Sequence, residues 1–331
     1  MIVVKDVLNV LVHISKGRCI KSYKDFTYSK NDYVVTKTSG IPGKSVTEVP
    51  ELIFGDPMMK VKKIAVVMTL TESAIELAAL TNVNVIIAHH PICEGNISGG
   101  VPLKSYLNLY NIAVFELHEA FHGLHPGIPW LHGYNVITSF FNYRGITGNI
   151  AYVGRVFDEI KTLGDIIKRL ETFMDTKSEL CALNKQSRSD VCMEQCYIST
   201  DIGAKILNGN MESPVKNILH IFPHTGFNEN DLEKIANDFS DIDTVLVSIS
   251  HVYEGNALLE KSRRLGLNFI CGNSNTMKIY ENGLPLSYAL KKYIPEADVV
   301  IFRESMKSIP LSCVSTKGMR QYGEYIANKY L

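Results

Sequence analysis

The sequence predicts an α/β protein made of two interlocked α/β halves with mostly parallel sheets. Three observations predict it. Between residues 64 and 117, short apolar runs of strand length alternate with helical segments in the order β-α-β-α-β. That is the pattern of parallel strands joined by helical crossovers. The same alternation returns between residues 217 and 303. At 331 residues the chain also exceeds what one hydrophobic core usually supports. It is therefore expected to divide, with residues 1–150 as the N-terminal half and 151–331 as the C-terminal half.

The elements follow from local chemistry. In MIVVKDVLNVLVHISKG, residues 1–17, the apolar run is broken by Lys5, Asp6 and His13. It reads as a short amphipathic helix and not as a signal peptide. Residues 25–51, rich in Lys, Thr, Ser, Pro and Gly, read as a long connection or a small insert. Ile64–Thr69 is a buried strand. Thr71 then caps a helix through about Leu80, because its hydroxyl can accept a free amide of the first turn. Val83–Ala88 is a second strand, Pro102–Tyr110 a helix and Asn111–Leu117 a third strand. In the second half Thr162 caps a helix to about Met174, with Asp165 favourable in its first turn. Residues 176–216 form a polar insert. Strands are then expected at Asn217–Phe222, Thr244–Ile249, Leu267–Cys271 and Asp298–Arg303. The helices between them are Asn228–Phe239, Ala257–Leu265 and Leu284–Tyr293.

Composition removes several function classes. Lys plus Arg and Asp plus Glu both total 34, so no net charge points to nucleic acid or an anionic membrane. No uncharged apolar run reaches membrane-spanning length. The seven cysteines are scattered, with no disulfide framework, which suggests reduced thiols and a cytoplasmic location. Cys192 and Cys196 lack a second pair nearby and read as part of a polar loop or hairpin.

The histidines carry the chemistry. Six of the ten fall between residues 89 and 132. IIAHHP places His89 and His90 where a strand ends, and VFELHEAFHGLHPG repeats the arrangement on the next strand with His118 and His122. In a parallel sheet ligands gather at the carboxyl ends of strands, and neutral imidazole is a common metal ligand. A single such histidine would more often just bond a carbonyl; two consecutive strand ends sharing the pattern point to a metal.

Two motifs mislead. His118-Glu119-Ala120-Phe121-His122 matches H-E-x-x-H, which serves zinc peptidases only on a helix. Here it follows directly on a strand and meets Gly123 and Pro126, so the match reads as a coincidence of spacing. Gly40-Ile41-Pro42-Gly43-Lys44-Ser45 is not a phosphate loop, because position 38, where the first glycine belongs, is Thr.

The stretch Gly55–Ile92, GDPMMKVKKIAVVMTLTESAIELAALTNVNVIIAHHPI, resembles the N-terminal core of the NIF-three-like proteins. Gly154-Arg155-Val156 resembles that family's Gly-Arg-Val, and the strand-helix order from Asn217 to Leu290 is similar in layout. The resemblance implies a NIF-three-like fold, a hollow homo-hexamer and a dinuclear metal centre. It implies ligands from the His-His pair, an Asp of the second segment, and a His and a Glu near the C-terminus. Some family members are labelled GTP cyclohydrolase. His89 and His90 carry over, whereas His122 stands where the family has Asp. The C-terminal Gly-His-x-x-x-Glu aligns by its surroundings with Gly272–Met277, which lacks both ligands; His251 with Glu254, or Glu281, are the alternatives.

The expectation is thus a divalent transition metal, zinc, iron or manganese, one or two per subunit. His89, His90, His118, His122, His251 and Glu254 are its candidate ligands, with Glu254 also a candidate catalytic base. The leading reading is a metal-dependent hydrolase of a small nucleotide-like or phosphorylated molecule. The alternative is a non-catalytic oligomeric metal-binding scaffold or regulator. A zinc peptidase using His118, Glu119 and His122 ranks below both.

Overall fold

A computed structural model describes residues 2–21, 31–38, 45–92, 103–140, 150–175, 196–197, 204–222, 227–247, 252, 254–272, 278–303, 307–308, 311–313 and 315–330. The protein is built on two mixed sheets. Helix α1 (Val4–Ile14) buries Val4, Val7, Leu8 and Leu11, a helical repeat that makes one apolar stripe. Strands β1 (Val35–Thr38) and β2 (Ser45–Glu48) pair as an antiparallel ribbon within the segment expected to be an insert. The first main sheet then begins with β3 (Leu52–Phe54), β4 (Lys63–Val67), β5 (Val85–Ala88) and β6 (Ala113–Glu116). Strands β4, β5 and β6 run parallel, and β3 closes the edge antiparallel to β6.

Crossover helices α2 (Glu72–Leu80) and α3 (Leu103–Tyr110) cover one face of this sheet. Thr71 caps α2 as expected, its hydroxyl accepting from the Ala74 amide at 3.2 Å. Ile75, Ala78 and Leu107 pack on Ala65, Ile86 and Val114. The alternate residues Ile64, Val66, Ile87 and Phe115 face α1 on the other side. Burial on both faces is why these strands read as continuous apolar runs. Gly55 is required where β3 turns toward β4. It has φ +115°, and a Cβ there would lie 2.5 Å from the Ala113 Cβ.

A short helix α4 (Gly127–Leu131) leads into the second sheet through β7 (Tyr134–Phe140) and β8 (Ala151–Val156), an antiparallel pair. Helix α5 (Leu163–Met174) opens with the Thr162–Asp165 capping box. The two-residue strand β9 (Cys196–Tyr197) is the described part of the polar insert's middle. Strands β10 (Lys205–Asn208), β11 (Asn217–Ile221), β12 (Thr244–Val247) and β13 (Asn268–Cys271) complete the second sheet in the order β10-β13-β12-β11-β8-β7. Helices α6 (Glu229–Asp238) and α7 (Ala257–Arg264) connect β11, β12 and β13, which are parallel.

The chain then returns to the first sheet. A π-helical segment, Ile279–Gly283, runs directly into α8 (Leu284–Tyr293). Strand β14 (Asp298–Ile301) pairs parallel to β4 at the first sheet's other edge. Strand β15 (Lys307–Ser308) pairs with β9, and helix α9 (Lys317–Tyr330), not anticipated from the sequence, buries none of its residues. Cys19 and Cys271 are buried free thiols, and no helix among the described residues is long and apolar enough to cross a membrane.

Candidate metal centre

The parallel strands β5 and β6 end at the same edge, and this brings the histidines together. The amide of His89 bonds the Val67 carbonyl, that of His90 the Met68 carbonyl, and that of Leu117 the Ala88 carbonyl. His89, His90 and His118 therefore leave the sheet side by side. Residues 118–122 form consecutive tight turns and not a helix, with the Phe121 amide on the His118 carbonyl. The turns bring the rings of His118 and His122 to 4.6 Å between centroids and that of His122 to 5.2 Å from His89. Ligand atoms of His89, His118 and His122 all lie within 4.8 Å of one another, a group that could hold a metal ion.

Hydrogen bonds fix the tautomers. His89 Nδ1 lies 3.1 Å from the Leu117 carbonyl oxygen, which can only accept. His118 Nδ1 lies 2.8 Å from Glu48 Oε2, and His122 Nδ1 lies 2.9 Å from Glu119 Oε2. Each Nδ1 thus carries the proton, so each neutral ring keeps its lone pair on Nε2. The Nε2 atoms of His89 and His122 face each other at 3.3 Å. Two lone pairs at that distance repel unless a cation lies between them. A tetrahedral zinc with nitrogen bonds of roughly 2.0–2.1 Å spaces adjacent ligands by about 3.3–3.4 Å, so the donor set fits.

Burial supports the same state. The His89 pKa is held well below the usual imidazole range, first by desolvation and then by Lys278, His122 and His90. His89 is neutral at neutral pH and available as a ligand. Glu48 and Glu119 are buried carboxylates and form a second group with His118. A dication held by these groups would offset the cost of burying the two carboxylates.

His90 is engaged differently. Its Nδ1 pairs with the Thr69 hydroxyl at 2.8 Å, and its Nε2 accepts from the Lys278 ammonium at 3.2 Å. Asn282 Nδ2 lies 3.3 Å from His89 Nε2. Lys278 immediately precedes the π-helix and Asn282 lies within it, and π-helical turns recur at functional sites.

The remaining expected residues are placed elsewhere. Glu254 is fully exposed and accepts two bonds from the Arg263 guanidinium, each 2.8 Å; that partner holds its carboxyl below the usual range. It belongs to neither of the two groups found among the described residues. His251 and Asn273–Met277 lie outside the described residues. Glu281 is buried on the π-helix, where its charge helps to raise the Tyr134 pKa, after burial and Tyr152. Glu119 bonds a histidine ring, an orienting role that the H-E-x-x-H spacing would not assign. Glu48, Lys278 and Asn282 were not read as site residues; Glu48 is 70 positions from its imidazole and carries no local signal.

Residues 50–99 match the model of the Duf34/NIF3 (NGG1p interacting factor 3) family. No curated protein is significantly similar to the chain in sequence. Solved structures share its fold. The Bacillus cereus protein related to NIF3 superimposes with a TM-score of 0.54 at 12% identity, over 92% of this chain and 98% of that one. Staphylococcus aureus SA1388 gives 0.53 at 14% identity, over 91% and 96%. TTHA1606 from Thermus thermophilus gives 0.51 at 13%, over 92% and 98%. Residues 50–99 are thus similar in sequence to the Duf34/NIF3 family, and most of the chain's length shares the fold of NIF3-related structures.

Proposed function

We propose that the protein binds a divalent transition metal through His89, His118 and His122 and uses it as a hydrolase. The substrate is a small nucleotide-like or phosphorylated molecule. One observation carries the metal reading: three imidazoles have their Nδ1 protons fixed on oxygen acceptors, and two of their Nε2 lone pairs oppose each other at tetrahedral spacing. Oxygen partners on the outer nitrogen orient ligating histidines and raise their basicity. Three protein ligands also leave a fourth position, the arrangement of catalytic and not structural zinc sites. A metal bound there supplies a Lewis acid and lowers the pKa of a coordinated water. Glu48 and Glu119 hold the rings in register, and the burial of His89 keeps bulk water from its ring.

A second reading is a non-catalytic, oligomeric metal-binding scaffold. The all-imidazole ligand set favours it, because both nearby carboxylates bond imidazole Nδ1 atoms. Assembly into a homo-oligomer, a hexamer by analogy, belongs to both readings. Hydrolysis of phosphate monoesters and nucleotides by metal-loaded protein separates them. Turnover that a chelator abolishes, and that His122→Ala removes with the fold intact, supports the hydrolase. Stoichiometric metal without turnover across such a panel supports the scaffold.

A further inference from the structure

Helix α1 turns a row of polar side chains away from the core. Lys5, Asn9 and His13 recur every four residues and are exposed, and Lys16 follows just past the helix end. Two adjoining cavities run along this row. The first, of about 510 Å³, has apolar walls of Leu8, Ile20, Leu52 and Pro57, with Lys5 beside them. The second, of about 400 Å³, is lined by Val12, His13, Lys16 and Gly17. Asn9 and Lys21 line both, so the two form one groove. Each volume lies in the range of ligand sites. Backbone bonds hold the walls: the Lys5 amide donates to the Pro57 carbonyl and the Ile20 amide to the Pro50 carbonyl, each at 2.8 Å.

The lining is cationic. Its ammonium groups are those of Lys5, Lys16 and Lys21, and its one carboxylate is that of Glu51, half-buried at the first cavity. Even with Lys21 and Glu51 set against each other, Lys5 and Lys16 remain, and neither has an ion pair or side-chain hydrogen bond among the described residues. The neighbouring carboxylates of Asp6 and Asp56 accept from the Val3 and Met58 amides. Lys16 is also held in the left-handed region at φ +55°, a backbone that Gly or Asn would adopt with less strain. Asn9 offers a donor and an acceptor together at the junction of the cavities, which matches a peptide group and not a simple anion. Among the described residues no Phe, Tyr or Trp lines the groove, so nucleic-acid bases have nothing to stack on.

We infer that this groove docks an extended acidic peptide segment of a partner protein. Acidic side chains of the segment meet Lys5 and Lys16, an apolar side chain enters the cavity walled by Leu8, Ile20 and Leu52, and the peptide backbone bonds Asn9. The rise from Lys5 to Lys16 is roughly 16 Å, the length of about five extended residues. Charge complementarity selects the partner, and the apolar walls supply the contact that bare charge would not. The groove and its occupant are independent of the metal reading.

Fluorescence anisotropy of the full chain with a labelled pentapeptide alternating glutamate and leucine, at low salt, tests this. Saturable binding is expected. The double variant Lys5→Gln, Lys16→Asn should weaken it about threefold or more, the loss of two exposed ion pairs. Asn9→Leu should weaken it by a similar factor, the loss of a backbone clamp. Asparagine tolerates the left-handed backbone at position 16, and thermal melts report folding. If the double variant is unstable, Lys5→Gln alone is read against the same peptide. Lys234→Gln, which removes an exposed charge on α6, should bind as wild type does. Peptide affinity unchanged in the folded variants overturns the inference, as does equal binding of a pentapeptide alternating lysine and leucine. No saturation by the acidic peptide up to ~1 mM overturns it too. Free glutamate binding as tightly as the pentapeptide would make this a small-anion site. A thymidine oligonucleotide or phosphatidylserine vesicles binding through Lys5 and Lys16 in place of the peptide would assign the groove to nucleic acid or membrane. Each of these outcomes overturns the peptide assignment.

Discussion

Replacing Glu48 by Gln isolates the effect of one buried negative charge on metal affinity. Glu48 Oε2 accepts the His118 Nδ1 proton at 2.8 Å, and both side chains are nearly inaccessible. Gln has the same shape, and its carbonyl oxygen can still accept, so the His118 tautomer is preserved. What is lost is the charge that makes the imidazole more basic and offsets the dication. Removing such a partner typically weakens metal binding 10–100-fold, about 1.4–2.7 kcal/mol. Glu48→Leu also removes the acceptor and frees the ring, so it should lie at or beyond the upper end. The assay is competition for zinc against a chromophoric chelator at constant pH, with circular dichroism as the check on folding. Glu254→Gln serves as the control, since that carboxylate lies in an exposed pair with Arg263, and its zinc affinity should equal that of wild type. Zinc affinity within about twofold of wild type in a folded Glu48→Gln protein would refute the coupling of this carboxylate to the metal.

Stability should fall in mild acid. Burial pushes the His132 pKa down to about 4. The unfolded chain therefore takes up a proton below pH ~6.5 that the folded protein refuses until about 4, so stability is lost as pH falls through that window, by about 3 kcal/mol from this residue. His220 acts in the same direction. Urea titrations should show a shallower acid slope in His132→Asn, and an unchanged slope would count against the assignment. Gly154→Ala should destabilise by about 2–3 kcal/mol through overpacking. Its Cβ would lie 2.3 Å from the Tyr134 ring and 2.5 Å from the Asn135 carbonyl; a neutral substitution would show that β7 and β8 separate easily. Light scattering should give an assembly near six times the 37.0 kDa chain mass, and a monomer at all concentrations would remove the proposed hexamer.

The legible part of the centre is the part fixed by strand ends. His89 and His118 follow parallel strands in register, and His122 lies one turn further on, so sequence spacing alone brings them near one another. Thr71 and Thr162 were legible as caps because capping is decided within four residues. What could not be read depends on long-range return of the chain. Glu48 reaches His118 from a ribbon outside the sheet. Lys278 and Asn282 arrive from the other end of the sequence on a π-helical turn, whose period matches neither the helix nor the strand pattern. The pairing of β14 with β4 is equally silent, since both sheets contain buried parallel strands that an apolar run would fit. His90 looked equivalent to His89 in sequence; only the arrival of Lys278 at its Nε2 distinguishes them.

X-ray absorption at the zinc edge of the reconstituted protein, combined with elemental analysis, tests the central claim most directly. The account predicts one zinc per chain, three imidazole nitrogens at about 2.0–2.1 Å with one lighter-atom neighbour, and loss of the ion in the His89→Ala, His118→Ala and His122→Ala variants. Protein that retains no metal, or a scattering shell without imidazole signature that survives those substitutions, would contradict it.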